Sequence, residues 1–314
     1  MSLRDIFGRE REDGVESDSD IGPSLGERLY DRAEYVAGLY KGERMGQIGI
    51  VLLLAFVLVA LLAPVLAPYA PETRHETADG QLIRLEGPSE AHLLGTNHQG
   101  QDVLSQVLYG TRVSVLVGLL AAVIAVFIGT NVGLLTAYYG GLIDDFFMRL
   151  VDIAYGLPFL PFVIVLVFIF GAEIWNIILV ISALLWRDSA RVVRSEVLTQ
   201  KERPYVESAK AIGASDFRII YRHILPNVLP LAFLYMAFAV AYAVIYEASI
   251  AFLGYGDPEL YSWGRMLFQA YSFGAIRFAW WWVIPPGVAL MFLVSSVFFL
   301  GRTLEKFTNP ELRH

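Results

Sequence analysis

The stretch VSVLVGLLAAVIAVFIGTNVGLLTAYYGGLI, residues 113–143, carries no charged side chain. An α-helix rises about 1.5 Å per residue, so about 20 apolar residues cross a bilayer core about 30 Å thick. The stretch exceeds that length, and it lacks the polar face that a helix on a soluble core presents to water. It therefore predicts a membrane-spanning helix.

The rest of the 314-residue chain repeats this pattern. Residues 45–71, 153–172 and 278–301 carry no charge, and 223–246 is interrupted only by His223. A sixth segment, 174–186, is too short alone and spans only if its helix continues past four charged residues, which must then face the cytoplasm or the protein interior: Arg187, Asp188, Arg191 and Arg194. We expect that continuation, and the predicted fold class is an all-α polytopic membrane protein with about six transmembrane helices.

The orientation follows from the distribution of lysine and arginine near the ends of the spans. These residues number 7 in 1–45, 1 in 139–149, 8 in 187–227 and 3 in 301–314, against 3 in 69–112 and 2 in 254–279. Six spans with both termini inside place nineteen of them inside and five outside. The sequence therefore predicts cytoplasmic N and C termini and a cytoplasmic segment at 201–227.

These boundaries divide the chain into an expected order of parts. Residues 1–45 hold 11 acidic and 7 basic residues and are expected to form a solvated cytoplasmic tail with a short amphipathic helix near 25–44; the acidity also suits a high-salt source. Residues 69–111 form an extracellular segment with an Asp79-Gly80 hairpin turn, and 305–314 a cytoplasmic tail. The expected spans are 46–68 and, within a core at 112–304, 113–138, 147–170 (kinked at Pro158 and Pro161), 174–198, 228–252 and 280–301, the last anchored by interfacial tryptophans at 280–282.

The sequence lacks the residues that several kinds of chemistry require. The chain has no cysteine, which excludes disulfides and thiolate metal sites. Its histidines show no metal-binding spacing, and no Gly-x-Ser-x-Gly motif or other hydrolase arrangement is present. Basic residues cluster at the membrane edges without interleaved aromatics, so nucleic acid is not an expected partner. We expect no enzymatic activity, no metal and no cofactor in this chain.

The segment PYVESAKAIGASDFRIIYRHILPN, residues 204–227, interrupts two apolar runs with charge. Pro204 suits a first helical turn, Tyr205, Ala209 and Ile212 recur at helical spacing, and Gly213 suits a left-handed cap. Ser215 can cap a second helix, in which Phe217, Ile220, Tyr221 and Ile224 form an apolar stripe and which Pro226 ends. Two interpretations remain open here: an amphipathic loop lying on the lipid surface, or a lever that transmits motion from a soluble partner.

The same segment resembles the EAA-type cytoplasmic loop of ABC importer permeases, with Glu207, Ala209, Gly213, Ile224, Leu225 and Pro226 at the spacing of that loop. Further blocks are similar to the C-type subunits of dipeptide and oligopeptide permeases over about 40–310: LLGTNHQGQDVLSQVLYGTRVSVLVGL, GGLIDDFFMRLVDI, WRDSARVVRSEVL, EASIAFLGYG and SWGRML. The chain departs from these relatives at Gln101, where arginine is usual, and at Ser208-Ala209-Lys210, where Ala-Ala-Arg is commoner. The first departure leaves the role of the 69–111 segment open.

The resemblance implies an ABC importer type I permease fold and a division of labour between subunits. A second, B-type permease would complete the solute path, two cytoplasmic ATPases would bind ATP and Mg²⁺, and an extracellular binding protein would deliver peptide. The 201–227 loop would dock on an ATPase, with Glu207, Ala209, Lys210, Gly213, Ala214, Ile224, Leu225 and Pro226 as its site residues. The absence of a Gly-Lys pair, and hence of a Walker A loop, agrees with ATP binding by another chain.

Alternatives remain at three points. The solute could be a nickel complex or another small molecule, and a self-contained channel or secondary transporter is a further hypothesis. Glu247, an acid within the fifth span, either lines the solute path or bonds to a neighbouring hydroxyl such as Ser249 or Tyr246. Arg149 and Asp152, three residues apart, are expected to form an ion pair.

Overall fold

The computed structural model describes residues 43–308, so the predicted helix at 25–44 and most of both predicted tails lie outside the described residues. Within that range the chain is helical, with strand-like pairing limited to three isolated bridges. The helices are α1 Arg44–Leu66, α2 Val103–Tyr139, α3 Gly141–Gly156, α4 Phe159–Phe170, α5 Ile174–Lys201, α6 Pro204–Ala211, α7 Asp216–Tyr255, α8 Trp263–Ser272 and α9 Trp280–Thr308.

Four of these helices, α1, α2, α7 and α9, are long and apolar enough to cross a membrane, and the bent pair α3 and α4 makes a fifth span if the two count as one. The remaining candidate, α5, is 28 residues long and runs unbroken through Arg187, Asp188, Arg191 and Arg194. The helix therefore continues past these charges as predicted, but α5 is not among the helices apolar enough to count as a span, so its crossing of the membrane stays a prediction. The all-α, polytopic fold class is confirmed as well.

Helix α2 begins earlier than the run of apolar residues indicated. Its first residue is Val103, and the Asp102 carboxylate caps it by accepting a hydrogen bond from the Ser105 amide at 2.8 Å. At 37 residues, or about 55 Å, the helix is longer than a bilayer core is thick. Hydropathy identifies only the part of α2 that is apolar enough to cross lipid. The first turns of α2 are polar and are covered by the segment that precedes them, so hydropathy did not identify them.

The predicted third span, 147–170, is broken at the first of its two prolines. The chain bends by 98° between α3 and α4, so the kink predicted at Pro158 is present, whereas Pro161 causes none. Proline excludes the helical conformation from the residue before it, and Leu157, which precedes Pro158, is extended with φ −81° and ψ 131°. The second proline, Pro161, lies in the first turn of α4, where its missing N–H breaks no hydrogen bond.

Helices α2 and α5 pack closely against each other, and glycine makes this approach possible. A Cβ atom at Gly129 would lie 2.0 Å from Ser189 Oγ and 2.3 Å from the Trp186 carbonyl, and one at Gly133 would lie 2.7 Å from the Ala190 carbonyl. Small residues four apart let two backbones approach in a membrane, where packing replaces the hydrophobic effect between helices. The Gly129-x-x-x-Gly133 pattern therefore sets the position of α5.

Residues 69–102 fold against the helix bundle. The predicted Asp79-Gly80 turn is present, with Gly80 at φ 75° and a bridge between Glu76 and Leu82, but no longer hairpin forms within the described residues. The 69–102 segment also contacts α9, where Trp281 Nε1 donates a hydrogen bond to the Thr96 carbonyl at 3.3 Å. The expected tryptophan anchor is thus partly wrong, because Trp282 is fully buried and packs inside the protein.

Candidate functional site

Residues 201–227 form a helix, a tight turn and the start of a second helix. Pro204 lies in the first turn of α6, as predicted. Gly213 adopts φ 79°, and the chain closes α6 with two bonds: Gly213 N–H to the Lys210 carbonyl (2.9 Å) and Ala214 N–H to the Ala209 carbonyl (3.0 Å). This is a Schellman cap, which needs a left-handed residue at the position of Gly213.

The second helical piece does not end at Pro226, so that prediction is wrong. Its helix starts at Asp216, turns through a π-helical stretch at Ile219–Ile224 and continues without a break as α7. Leu225 N–H bonds to the Ile220 carbonyl in the wider π spacing, and Pro226 then occupies the first turn of the following α-helical part. Nor does the Ser215 hydroxyl cap this helix; its backbone carbonyl accepts from Ile219 N–H at 3.0 Å.

The predicted site residues divide into a buried and an exposed group. Ala209 and Ile224 are buried in an apolar cluster with Val206 and Ile219, and Ala214 and Leu225 pack against its edge. Exposed residues are Glu207, Lys210, Gly213 and Pro226. The motif thus has two functions in the structure: its apolar members hold the shape of the segment, and its polar and turn residues lie on the surface.

The exposed face also carries two large apolar side chains. Ile212 is 85% exposed and Phe217 is 71% exposed, one on each side of Gly213. Sequence analysis placed Ile212 at helical spacing with Ala209 and placed Phe217 on the apolar stripe of the second helix. In the structure neither side chain belongs to the buried cluster. The buried face of α6 instead consists of Val206 and Ala209, because the turn at Gly213 rotates Ile212 away from the cluster.

Four hydrogen bonds of side chains join this segment to α2 and α5. Tyr138 donates to Asp216 at 2.6 Å, Tyr221 to Asn131 at 2.9 Å, Tyr205 to Gln200 at 2.9 Å, and Lys201 to the Tyr138 carbonyl at 2.6 Å. Burial raises the pKa of Tyr205, which keeps its hydroxyl protonated and able to donate. The segment is therefore joined rigidly to the bundle.

The charged half of α5 pairs with α3. Arg194 binds Asp144 through two bonds of 2.6 and 2.5 Å, and Arg191 binds Asp152 at 2.5 Å. The predicted pair of Arg149 with Asp152 is therefore wrong. Asp152 instead meets Arg191 of the facing helix α5, a partner that spacing along α3 cannot reveal.

Glu247 is buried, with 4% of its surface exposed. Its carboxyl lies next to the Ser262 hydroxyl, in a cavity of about 10 Å³ that Asp257 also lines. The partners expected from sequence are occupied elsewhere: Ser249 donates to the Ile245 carbonyl, and Tyr246 stacks on Phe159. The actual neighbour, Ser262, lies in the turn before α8. No local sequence pattern predicts that this turn lies near α7.

A cavity of about 540 Å³ lies among α2, α3, α5, α7 and α9. Its wall is rich in aromatic residues of α7, of which sequence analysis named only Tyr246, as a neighbour of Glu247. Their spacing of three and four residues was a usable signal: Tyr235, Phe238, Tyr242 and Tyr246. No group of three or more metal-ligating side chains lies together within the described part of the chain.

Comparison with known proteins agrees with this architecture. Residues 129–310 match the family described as binding-protein-dependent transport system inner membrane component, and residues 40–88 match the N-terminal TM domain of oligopeptide transport permease C. The dipeptide transport system permease protein DppC of Haemophilus influenzae is 34% identical over 281 residues, covering 87% of this chain and 93% of the relative.

Two further relatives have the same degree of similarity. DppC of Alkalihalophilus pseudofirmus is 33% identical, covering 87% of this chain and 88% of its own. The glutathione transport system permease protein GsiD of Pectobacterium atrosepticum is 34% identical, covering 83% and 85%.

The helices and these similarities define a multi-pass transport component of the plasma membrane. The chain belongs to the family of binding-protein-dependent transport system inner membrane components, in the DppC/OppC-like branch of ABC transporter peptide permeases. Members of this family are permease subunits of a larger transporter and not themselves catalysts.

Proposed function

We propose that this chain is the C-type permease subunit of an ATP-driven importer of dipeptides and oligopeptides. It forms the solute path with a B-type permease, receives peptide from an extracellular binding protein, and docks on cytoplasmic ATPases through residues 201–227. The family supports the transport role, and the names of the two DppC relatives support a dipeptide solute.

The shape of the 201–227 segment is the observation that carries the proposal. A loop that only rests on lipid needs no rigid attachment, whereas this one is bonded to α2 and α5 through Asp216, Tyr221 and Lys201. It also continues directly into α7, a helix of 40 residues. A force applied at Ile212 or Phe217 therefore moves a membrane helix as one body, which favours the lever over the lipid-surface loop.

A lever of this kind couples ATP binding in the partner subunits to movement of the membrane helices. The segment offers a partner two apolar anchors beside the exposed Glu207 and Lys210, and apolar anchors with a polar surround are what a protein interface uses. When the ATPases close on ATP, the docked segments of the two permeases approach each other and shift the helices between inward-open and outward-open states. The free energy of ATP binding biases this two-state equilibrium, and the chemistry of hydrolysis takes place in the partner subunits.

A double variant tests the docking surface. Ile212→Asp with Phe217→Asp leaves the buried cluster intact, and loss of two anchors of about 2 kcal/mol each weakens ATPase association by more than about 100-fold. We expect the tagged variant to copurify with the second permease but without ATPases, and its membranes to lose ATP-dependent dipeptide uptake. Ile276→Asp is the matched control, because Ile276 is 54% exposed on the side predicted to be extracellular.

The turn is tested separately by Gly213→Pro. The proline ring fixes φ near −65°, which is incompatible with the φ of 79° at this position. We expect the variant to insert into the membrane but not to transport. Uptake by either variant at the wild-type rate, or uptake by the wild-type chain purified free of any ATPase, would overturn the proposal and favour a self-contained channel or secondary transporter.

A further inference from the structure

The large cavity has a size suited to a solute. Its volume is about 540 Å³, within the range of 300–1,000 Å³ typical of small-molecule sites. Its walls come mainly from α5 and α7, about midway along each helix, and Phe298 of α9 and Tyr155 of α3 complete them. The cavity therefore lies at membrane depth.

Its polar groups show that lipid does not fill it. Within residues 43–308, no group hydrogen bonds to the hydroxyls of Tyr235, Tyr242 or Tyr246, although all three line the cavity. A hydroxyl without a partner in hydrocarbon costs several kcal/mol. These three hydroxyls therefore face water or a polar solute.

The aromatic rings form a continuous wall beside those hydroxyls. Tyr235 contacts Phe238 with ring centroids 6.2 Å apart, Phe238 contacts Phe298 at 5.8 Å, and Phe298 contacts Tyr242 at 6.3 Å. Tyr242 in turn lies 6.2 Å from Tyr246. The twelve residues from Tyr235 to Tyr246 cover about 16 Å of helix, so the rings form a track along α7 and not a compact site.

Two opposite charges lie on the wall facing this track. Asp188 and Arg191 are three residues apart on α5, so both project into the same cavity. Tyr155 links them, because its hydroxyl donates to Asp188 and its ring lies 4.4 Å from the Arg191 guanidinium. Arg191 also pairs with Asp152 of α3 at 2.5 Å, and Asp188 lies 4.0 Å from Arg187. The side chains of Asp188 and Arg191 nevertheless retain exposures of 39% and 50%, so each keeps a face open to a solute.

The separation of these charges selects a class of solute. An extended peptide spans about 3.5 Å per residue, so the ammonium and carboxylate of a dipeptide can meet an acid and a base on neighbouring helical turns. The aromatic wall then receives apolar or aromatic side chains, and the free phenol hydroxyls bond to the peptide group. A metal complex or an inorganic anion uses only one of these features.

We propose that this cavity is the peptide-binding part of this subunit's half of the translocation path, with Asp188 receiving the terminal ammonium, Arg191 the terminal carboxylate, and the α7 tyrosines the side chains and peptide groups. This assignment rests on the proposed import of peptides, and it adds the residues that contact the peptide in transit.

The chain has no cysteine, so single cysteines report on the cavity in the intact transporter. Tyr242→Cys places a thiol on the wall, and Phe233→Cys, on the same helix but outside the cavity and 54% exposed, is the matched control. We expect a hydrophilic thiosulfonate to modify Tyr242→Cys and the dipeptide Ala-Phe at millimolar concentration to slow that modification severalfold. Phe233→Cys lies on the apolar membrane helix outside the cavity, so the hydrophilic reagent should modify it little, with or without the peptide.

The charges are tested with the same readout in the absence of binding protein, which removes its selectivity from the measurement. N-acetyl-Ala-Phe-amide carries neither terminal charge, and we expect it to need at least about tenfold more peptide for half-protection. Asp188→Asn should raise the half-protecting concentration of free Ala-Phe and leave that of the blocked peptide unchanged. A structural effect of Asp188→Asn would shift both peptides equally.

Three outcomes overturn the inference: no modification of Tyr242→Cys, no protection by Ala-Phe, or equal protection by free and blocked peptides. Uptake by the wild-type transporter is measured in parallel. If that uptake is normal and protection is absent, only the cavity assignment fails. If the wild-type transporter imports no peptide, the proposed function itself fails.

Discussion

His98 shows how one side chain couples the 69–102 segment to the helices. Its ring stacks on Phe273 with centroids 3.7 Å apart and lies 5.2 Å from the ring of Trp282. Burial, and then the charges of Arg84 and Arg74, lower the pKa of His98 to about 4. The imidazole is therefore neutral in the folded protein at pH values where it would be protonated in an unfolded chain.

This pKa predicts a loss of stability in acid. The contribution of neutral His98 is complete above the unfolded pKa of about 6.5 and is lost as the pH falls toward 4, because the unfolded state then binds the proton more readily. We expect the thermal midpoint of the protein in nanodiscs to fall between pH 7.5 and pH 5. In His98→Phe, which keeps the stacking and cannot titrate, the fall should be smaller; an identical fall would contradict the assignment.

Glu247 is a second residue whose surroundings, not its type, decide its role. Its Oε2 atom has no hydrogen-bond partner among the described residues, and the cavity beside it has room for about one water molecule. The carboxyl lies against Ser262, where it joins α7 to the turn that starts α8. Full burial next to a capping residue favours the structural interpretation over contact with the solute.

This interpretation predicts different results for two substitutions. Glu247→Gln keeps the shape and hydrogen-bonding capacity, so we expect a stability within about 1 kcal/mol of wild type and normal uptake. Glu247→Lys places a longer, positively charged side chain in this buried site. We expect this to cost several kcal/mol of stability and to prevent accumulation in the membrane. A stable Glu247→Gln protein that transports nothing would instead place the carboxyl on the solute path.

At the scale of elements, the contact between α2 and α5 positions the charged half of α5. Gly129 and Gly133 allow the approach, and the ion pairs of Arg191 and Arg194 with α3 then fall into place. These pairs also lower the cost of carrying charge on α5, since each arginine has an acid of the facing helix as its partner.

Adding one methyl group tests this packing. Gly129→Ala forces the new Cβ to within 2.0 Å of Ser189 Oγ and 2.3 Å of a backbone carbonyl, and such overpacking costs about 1–3 kcal/mol. We expect a lower thermal midpoint and reduced membrane accumulation. Gly287→Ala is the matched control, because a Cβ at that helical glycine meets nothing within 4 Å and alanine favours helix. Equal stability of the two variants would refute the role of the α2–α5 contact.

At the scale of the whole molecule, apolar runs predicted the all-α bundle because the bilayer requires about 20 apolar residues wherever a helix meets lipid. They could not locate the ends of helices that are covered by other parts of the protein. As a result α2 begins ten residues before the predicted position, and the predicted third span is divided into α3 and α4 by a sharp bend. The turn at Gly213 was predictable, since a left-handed residue is a local requirement. The exposure of Ile212 and Phe217 beside it was not, because the direction of a side chain depends on how α6 packs.

The sequence by itself thus determined the membrane class and the turn at Gly213, which rest on the length, polarity and spacing of neighbouring residues, and its resemblance to known permeases indicated the family. Only the tertiary structure decided which residues meet across helices: Asp152 with Arg191, Glu247 with Ser262, and the α7 tyrosines with Asp188 around one cavity. The physical reason is that these contacts join residues far apart in the chain, and their distances are set by how closely the helices between them can pack.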